Sequence, residues 1–295
     1  MTDAPTPVLN EYGRITSLVL KHARDAFGDE GRTQAEWRDL RFTAAPGYDR
    51  AVAEYQRFQE AVAAAGAAPR WLPARGGAGL DSIYVRDASV VCDRGVILCR
   101  MGKPQRAWEP AAQQAAFADW GVPVVGAIRA PGRLEGGDVV WLDDDTVAVG
   151  QGYRTNDDGI RQLGLLLGRA VQVVTVPLPH WRGPDDVFHL MSMISPVDRD
   201  LAVVYAPLLP VPFRELLLER GFQLVEVPDG ELESMGANVL AIAPRRCVML
   251  AGNPRTRSLL EAAGAHVAAY IGDEISVKGG GGPTCLTRPL RRVRD

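Results

Sequence analysis

The sequence predicts an α/β protein of five similar modules around a central axis, a pseudo-symmetric five-bladed α/β propeller. Amphipathic helical segments recur about every 50 residues, a period typical of repeated architectures. Each segment ends at a glycine and is followed by a short apolar strand. A polar residue then follows each strand, so five equivalent positions would face one axis. The alternative is a two-domain α/β protein with coincidental spacing.

The elements follow this pattern in chain order. The helices are predicted at residues 48–65, 111–120, 156–167, 213–220 and 256–263, ending at Gly66, Gly121, Gly168, Gly221 and Gly264. The strands are predicted at residues 70–72, 122–125, 171–176, 222–227 and 266–271, and the hairpins at residues 88–100, 139–149, 190–205 and 239–250.

The fifth module is expected to lack most of its hairpin because the chain ends there. The N-terminal strand at residues 15–20 is predicted to fill that gap, which would close the ring and remove most open sheet edges. One domain over residues 1–295 is therefore expected. Residues 20–47 are interpreted as a lid, from their position and their glycines.

Composition excludes several function classes. With 33 basic and 36 acidic residues, the net charge of −3 gives no electrostatic case for nucleic acid. No apolar run approaches the ~18 residues of a membrane span, and residues 1–7 lack the features of a signal peptide. Cys92, Cys99, Cys247 and Cys285 have no zinc-site spacing, so we expect no metal, no disulfide and a cytoplasmic location. The basic run at residues 288–294 is interpreted as a solvated tail.

The polar residues that follow the five strands carry the functional signal. They are Asp87, Glu135, His189, Asn238 and Cys285. Cys285 follows four glycines, which predicts a tightly turned, exposed thiol, and such a thiol is a candidate nucleophile.

A thiol, a histidine and two carboxylates around one pocket suit attack on a planar cationic carbon. The carboxylates would hold a guanidinium through charge-assisted hydrogen bonds, and the thiolate would attack its central carbon. The histidine would protonate the departing amine and then activate water. Each residue has a structural alternative: His189 as a core histidine, Asp87 as a strand cap or partner of Arg86, Glu135 as a turn residue and Cys285 as a packing residue. Their joint placement favours catalysis.

Five motifs in this order resemble the guanidino-group-modifying superfamily, the penteins, which includes arginine deiminases, amidinotransferases and dimethylarginine dimethylaminohydrolases. The motifs are Tyr84-Val85-Arg86-Asp87, Glu135-Gly136-Gly137-Asp138, Arg154-Thr155-Asn156, Phe188-His189-Leu190 and the glycine-flanked Cys285. The resemblance covers nearly the whole chain. It implies a pentein fold, a small guanidino substrate and no cofactor. Homo-oligomer formation is left open.

Within that superfamily the chain looks most like the dimethylarginine dimethylaminohydrolases. Asp81-Ser82 ahead of Arg86-Asp87, and Ser192 three residues after His189, are similar to that family. The roles implied by the resemblance are nucleophile for Cys285, acid/base for His189, guanidinium ligands for Asp87 and Glu135, a further substrate ligand for Asp81, and substrate-carboxylate ligands for Arg106 and Arg154.

One departure bears on the substrate. Deiminases and amidinotransferases usually carry His-x-Asp, but Met191 stands two residues after His189. The missing carboxylate would leave one guanidinium nitrogen without an ionic partner, and a methylated nitrogen could occupy that position. Two other features instead resemble the deiminases: Arg86 and the glycine-rich segment before Cys285.

The predicted reaction is cofactor-free hydrolysis of a dimethylated or monomethylated arginine to citrulline and an alkylamine through a covalent thiouronium. The enzymatic alternatives are release of ammonia from arginine and amidino transfer to an amine. The non-enzymatic alternative is a ribosome-binding protein of the same fold.

Overall fold

Five small β-sheets with their crossover helices make up the computed structural model, which describes residues 6–74, 79–184, 186 and 188–294. The first five residues, part of the segment on which the signal-peptide prediction was made, lie outside the described residues. The helices of the described part are α1 (Ala23–Phe27), α2 (Glu30–Glu36), α3 (Tyr48–Ala63), α4 (Glu109–Asp119), α5 (Asp157–Leu167), α6 (Val211–Glu219) and α7 (Pro254–Ala262).

The strands fall into one four-stranded and four three-stranded sheets. They are β1 (Pro7–Val8), β2 (Arg14–Leu20), β3 (Ala68–Trp71), β4 (Ser89–Cys92), β5 (Gly95–Leu98), β6 (Val124–Ala127), β7 (Val139–Trp141), β8 (Thr146–Gln151), β9 (Gln172–Pro177), β10 (Ile194–Asp198), β11 (Leu201–Val204), β12 (Gln223–Glu226), β13 (Leu240–Ala243), β14 (Arg246–Leu250), β15 (His266–Tyr270) and β16 (Arg288–Val293).

Each three-stranded sheet consists of a hairpin and the strand that follows the next helix. In the sheet β4-β5-β6, β5 pairs antiparallel with β4 and parallel with β6. The sheets β7-β8-β9, β10-β11-β12 and β13-β14-β15 repeat this order. A parallel pair needs a long crossover, and α4 to α7 provide it. The spatial unit is therefore hairpin, helix and strand, and the five-module prediction is confirmed.

The remaining sheet, β1-β16-β2-β3, joins the two ends of the chain. β16 runs antiparallel to β2, and β2 runs parallel to β3. The predicted closure by the N-terminal strand is thus confirmed. The interpretation of residues 288–294 as a solvated tail is wrong, because residues 288–293 form β16. Arg288 and Arg292 are each only 4% exposed.

Helix ends follow the local rules expected from the sequence. The five glycines predicted to end α3 to α7 all have positive φ, between 66° and 88°. Asn156 caps α5 by accepting the amide N–H of Gly159. α4, α6 and α7 begin about two residues earlier than predicted, and each has a proline in its first turn, where its missing N–H costs nothing. The short helices α1 and α2 were not predicted.

The five polar residues lie in the segments that leave one sheet and enter the next. Asp87 follows β3, Glu135 follows β6, His189 follows β9, Asn238 follows β12 and Cys285 follows β15. Apolar clusters fill the space beside these segments; one of them packs residues of the β4-β5 hairpin against β7, β8 and α5. The prediction of one domain over residues 1–295 stays a prediction.

Candidate active site

One cavity brings together six of the seven site residues predicted from the sequence. The seventh, Glu135, lies directly behind the cavity wall, in contact with two of the others. The cavity is lined by Asp81, Tyr84, Asp87, Lys103, Arg106, Arg154, His189, Gly279, Gly280, Gly281 and Cys285. Its volume of about 20 Å³ is that of a single water site. A substrate can therefore enter only if the walls separate.

Glu135 is fully buried and bonded on both oxygens. Its Oε2 lies 2.8 Å from Nε2 of His189, and its Oε1 accepts the amide N–H groups of Gly102 and Lys103 at 2.8 and 3.0 Å. Burial acts to raise the pKa of this carboxyl. The hydrogen bond with His189 and the charge of Arg154 outweigh it and hold the pKa below its usual range. Glu135 is therefore a carboxylate that fixes the His189 ring.

The His189 ring lies between acidic side chains. Its Nδ1 is 3.9 Å from Oδ1 of Asp87, and Asp138 accepts the amide N–H of Leu190 next to it. Burial alone would lower the imidazole pKa, but Asp138, Asp87 and Glu135 raise it to about 9. His189 is thus an imidazolium at neutral pH and can donate a proton.

Gly137 permits the close approach of this histidine to Asp87. A Cβ on Gly137 would lie 2.5 Å from Nδ1 of His189 and 2.8 Å from Oδ1 of Asp87. Both distances are shorter than any ordinary contact, so a side chain here would push the two groups apart. The Glu135-Gly136-Gly137-Asp138 motif therefore supplies space as well as charge.

Asp87 has one hydrogen-bonded carboxylate oxygen and one that accepts no hydrogen bond from the described residues. Oδ2 accepts Nη1 of Arg106 at 2.6 Å, whereas Oδ1 is buried with no hydrogen-bond donor among the described residues. Arg106 also donates from Nε and Nη2 to Glu109, and from Nη2 to the carbonyl of Tyr84. All three of its nitrogens are thus engaged within the chain. Its predicted contact with a substrate carboxylate stays a prediction.

Cys285 lies against the same cavity, but its thiol is buried, with the residue 9% exposed. The prediction of an exposed thiol is wrong, because the preceding glycines pack against aromatic rings: a Cβ on Gly281 would lie 2.3 Å from the Tyr84 ring. The amide of Asn238 lies 3.6 Å from Sγ. Burial and the charge of Asp87 raise the pKa of the thiol. A cation placed between Sγ and Asp87 would oppose both effects.

Sequence reasoning missed Lys103 on the cavity wall. Its Nζ donates to Oδ2 of Asp81 at 2.5 Å and to the carbonyl of Leu40 at 2.7 Å. Burial lowers the pKa of this amine, and Asp81 counters the effect. The available signal was composition, since the chain contains three lysines. Arg154, which was predicted, donates to Oε2 of Glu135 at 3.2 Å.

The segment interpreted as a lid touches this wall. Besides the bond from Lys103 to Leu40, Phe42 lies 6.5 Å from the Tyr84 ring, centroid to centroid, in a stacked arrangement. A Cβ on Gly279 would lie 2.6 Å from the Phe42 ring. The lid role itself stays a prediction.

Two residues weighed for substrate choice do not line the cavity. Met191 is buried in an apolar cluster with Leu190, Met193 and Ile194. Arg86 is buried too, and its side chain bonds Glu11 and the carbonyls of Thr284 and Thr287. Met191 therefore does not contact a substrate nitrogen in the described cavity. Arg86, the residue that resembles the deiminases, also lies outside the cavity.

The described residues include neither a metal site nor a membrane-spanning helix. They contain no group of three or more histidine, cysteine, aspartate or glutamate side chains arranged to hold a metal ion. Within the same residues, no helix is both long and apolar enough to cross a membrane.

Comparison with protein families places the chain among guanidine-modifying enzymes. The model of the arginine deiminase family matches residues 81–211 and 209–292. The N(G),N(G)-dimethylarginine dimethylaminohydrolase of Streptomyces coelicolor is 33% identical over 217 residues, which are 73% of this chain and 76% of that protein. YkgA of Bacillus subtilis, an uncharacterised protein, is 29% identical over 287 residues, 96% of this chain and 94% of its own.

Solved structures match the fold over nearly the whole chain. The dimethylarginine dimethylaminohydrolase of Pseudomonas aeruginosa, solved as a mutant with citrulline bound, has a TM-score of 0.74 at 23% identity. The match covers 94% of this chain and 99% of that chain. At this identity the match shows a shared fold.

Proposed function

Since the chain belongs to the arginine deiminase family, within the guanidino-group-modifying superfamily of penteins, we propose that its substrate is a methylated arginine. The products would be citrulline and dimethylamine or methylamine. Cys285 is the nucleophile, His189 the acid and base, and Asp87 and Glu135 the carboxylates around the guanidinium.

The observation that carries the substrate choice is the shortage of free acceptors at the cavity. Asp81 is paired with Lys103, both oxygens of Glu135 are bonded, and Asp87 keeps one buried oxygen without a donor among the described residues. Arginine brings five guanidinium N–H donors, and each one left unpaired in a buried site costs about 1–3 kcal/mol. Two methyl groups on one nitrogen remove two of those donors, so the methylated substrate loses less on entering.

The chemistry follows from the charges around Cys285. A guanidinium held by Asp87 lowers the thiol pKa, the thiol proton passes to solvent, and the thiolate forms a bond to the guanidinium carbon. The His189 imidazolium protonates the substituted nitrogen, the C–N bond breaks and the amine departs. Neutral His189 then takes a proton from water, and the hydroxide adds to the thiouronium carbon. The C–S bond breaks with the Cys285 thiolate as the leaving group, and the remaining hydroxyl proton passes to solvent to give citrulline.

The substrate's amino-acid end requires a cationic partner. Arg154 lines the cavity, and its contacts to Glu135 are long, at 3.2 and 3.4 Å, which leaves it able to turn towards a carboxylate. Arg106 holds Asp87 in place through its 2.6 Å bond. Asp81, paired with Lys103, borders the same cavity and would contact the substrate beside it.

The test is product analysis with asymmetric dimethylarginine, monomethylarginine and arginine in separate incubations. We expect citrulline with dimethylamine from the first, and kcat/KM for arginine at least ~10²-fold lower. His189→Gly should stop turnover while the circular dichroism spectrum stays unchanged. Citrulline and ammonia from arginine, at a kcat/KM equal to or above that for dimethylarginine, would make the protein an arginine deiminase.

A further inference from the structure

A second, larger cavity lies on the other side of the segments that carry Asp87 and Cys285. Its volume is about 1020 Å³, and its inner wall contains Arg86, Arg288, Arg292 and Glu11. We call these four residues the arginine cluster. Arg86 precedes Asp87 directly, and Arg288 follows Cys285 by three residues, yet none of the four lines the candidate active site.

The cluster is buried and carries more positive than negative charge. Arg86 is fully buried, Arg288 and Arg292 are each 4% exposed and Glu11 is 8% exposed. Glu11 bonds Nη1 of Arg86 at 3.2 Å and lies 3.9 Å from Nη2 of Arg292. Three guanidinium groups thus share one carboxylate, which leaves two positive charges without a counterion in the cluster.

Each guanidinium also has a donor that the described chain does not satisfy. Nη2 of Arg86, Nε of Arg288 and Nη2 of Arg292 are buried and have no acceptor among the described residues. The remaining bonds fix the three side chains: Arg86 Nε donates to Thr284 O, Arg288 Nη2 to Arg86 O, and Arg292 Nη1 to the carbonyls of Gly13 and Ala241. Buried donors held in fixed positions without acceptors form a preorganised site for an anion.

The electrostatics agree with this geometry. Burial and the charge of Arg86 lower the pKa of Arg288 to about 9, and burial lowers that of Arg292 to about 10. Burial would raise the pKa of Glu11, but the three arginines hold it below its usual range. Uncompensated buried charge is costly, and an anion from outside would relieve it.

The approach to the cluster is also basic. Arg70, Arg94 and Arg291 line the outer part of the cavity, against Asp93 and Asp144. The whole cavity therefore has six arginines and three acids in a protein whose net charge is −3. Such a wall raises the local concentration of anions.

We propose that the arginine cluster binds a phosphate group, either as inorganic phosphate or as part of a small phosphorylated molecule. A doubly charged oxyanion matches the two uncompensated charges. Its several oxygens can accept from three guanidinium groups at once, and guanidinium forms its strongest hydrogen bonds with such oxyanions. Chloride has one charge and no fixed oxygen geometry, so it satisfies neither requirement.

The experiment is calorimetric titration of the full-length protein with inorganic phosphate in a chloride-free buffer. We expect one saturable site with Kd below about 1 mM, and no saturation with chloride over the same range. Glycerol phosphate tells the two sources apart: equal affinity favours free phosphate, and tighter binding favours a larger molecule whose remainder lies in the outer cavity. Absence of saturable binding by both phosphates overturns the proposal.

Two variants should shift the affinity in opposite directions. Arg288→Met removes one guanidinium and should weaken phosphate binding at least ten-fold, whereas Glu11→Gln removes the competing carboxylate and should tighten it about three-fold or more. Arg257→Gln is the control, since Arg257 is exposed on α7 outside this cavity and its loss should change Kd less than about two-fold.

The variants also separate a ligand site from a structural network. If phosphate binds wild type, Arg288→Met and Glu11→Gln with equal affinity, it binds elsewhere and the proposal is wrong. Because each variant is judged by Kd in the folded protein, a change in stability does not mimic the expected result. None of these readouts depends on turnover, so they also stand if the methylarginine proposal fails.

Discussion

The two cavities of this protein use neighbouring residues for opposite electrostatic tasks. At the candidate active site a buried carboxylate oxygen of Asp87 has no donor among the described residues. In the arginine cluster the unsatisfied groups are N–H donors of Arg86, Arg288 and Arg292. The first arrangement is complementary to a cation, and the second is complementary to an anion. Buried groups that the described chain leaves unpaired thus indicate the charge of what each cavity binds.

The cavities also differ in volume and in how completely their charged side chains are paired. The active-site cavity holds about 20 Å³, and its bases and acids are mostly paired with each other. The second cavity holds about 1020 Å³ and leads to charges that its own residues do not balance. A substrate can therefore enter the first cavity only if its walls separate, whereas the second cavity already has the volume for a small anion.

Replacement of Cys285 tests whether the nucleophile lies in the first cavity, and it should change activity more than any other substitution. Cys285→Ser should lower kcat/KM at least ~10⁴-fold, because a hydroxyl is a far weaker nucleophile than a thiolate. Cys247→Ser, in strand β14 and outside the active-site cavity, is the matched control and should retain activity in the same assay. Comparable turnover by Cys285→Ser would remove this thiol from the mechanism.

The next effect tests the pairing of Glu135 with His189. Glu135→Gln should lower kcat by ~10²–10³-fold and shift the high-pH limb of the kcat/KM profile to lower pH, because the imidazolium loses its closest anion. Glu261→Gln, at an exposed ion pair on α7, should leave the profile unchanged. A fall in kcat with an unmoved limb would mean that Glu135 does not set the His189 pKa.

The charge state of His189 also predicts how stability depends on pH. Its folded pKa of about 9 lies above the unfolded value near 6.5, so its stabilising contribution is complete below pH 6.5 and is lost as pH rises through 9. The contribution is about 3 kcal/mol of unfolding free energy. Urea denaturation at pH 6 and pH 9.5 measures this contribution. Between the two pH values, the unfolding free energy of wild type should fall by more than that of His189→Gln. Equal losses would contradict the raised pKa.

Replacement of Arg154 tests recognition of the substrate carboxylate and should change activity least. Arg154→Ala should raise KM about ten-fold or more with a smaller change in kcat, because it removes a charge-assisted contact away from the reacting carbon. Arg161→Ala, exposed on α5 in the same module, is the control. An unchanged KM would mean that the substrate carboxylate binds elsewhere, with Lys103 as the next candidate.

The sequence was most informative where local rules act. Helix periodicity and the positive φ of glycine located α3 to α7, and the order of strands and polar residues located Asp87, Glu135, His189 and Cys285 around one site. These features depend on residues close in sequence, so a single chain is enough to recognise them. Helix starts were less accurate, because proline in the first turn extends a helix beyond its apolar pattern.

The sequence was misleading where distant segments meet. The basic end of the chain resembled a solvated tail, yet ring closure makes residues 288–293 a strand against β2, about 270 residues away in sequence. Cys285 looked exposed because its glycines suggested an open loop, but Tyr84 and Phe42 cover that loop.

Residue order along the chain was enough to predict the five modules, their helix-ending glycines and the residue types that could act on a guanidinium. The folded chain was needed to show that Arg106 is held by Asp87 and Glu109, that Lys103 pairs with Asp81 and that three arginines share one carboxylate. Periodicity and turn chemistry specify each module separately. The pairing of charges depends on which modules become neighbours when the ring closes, and burial then makes each unpaired charge costly enough to matter.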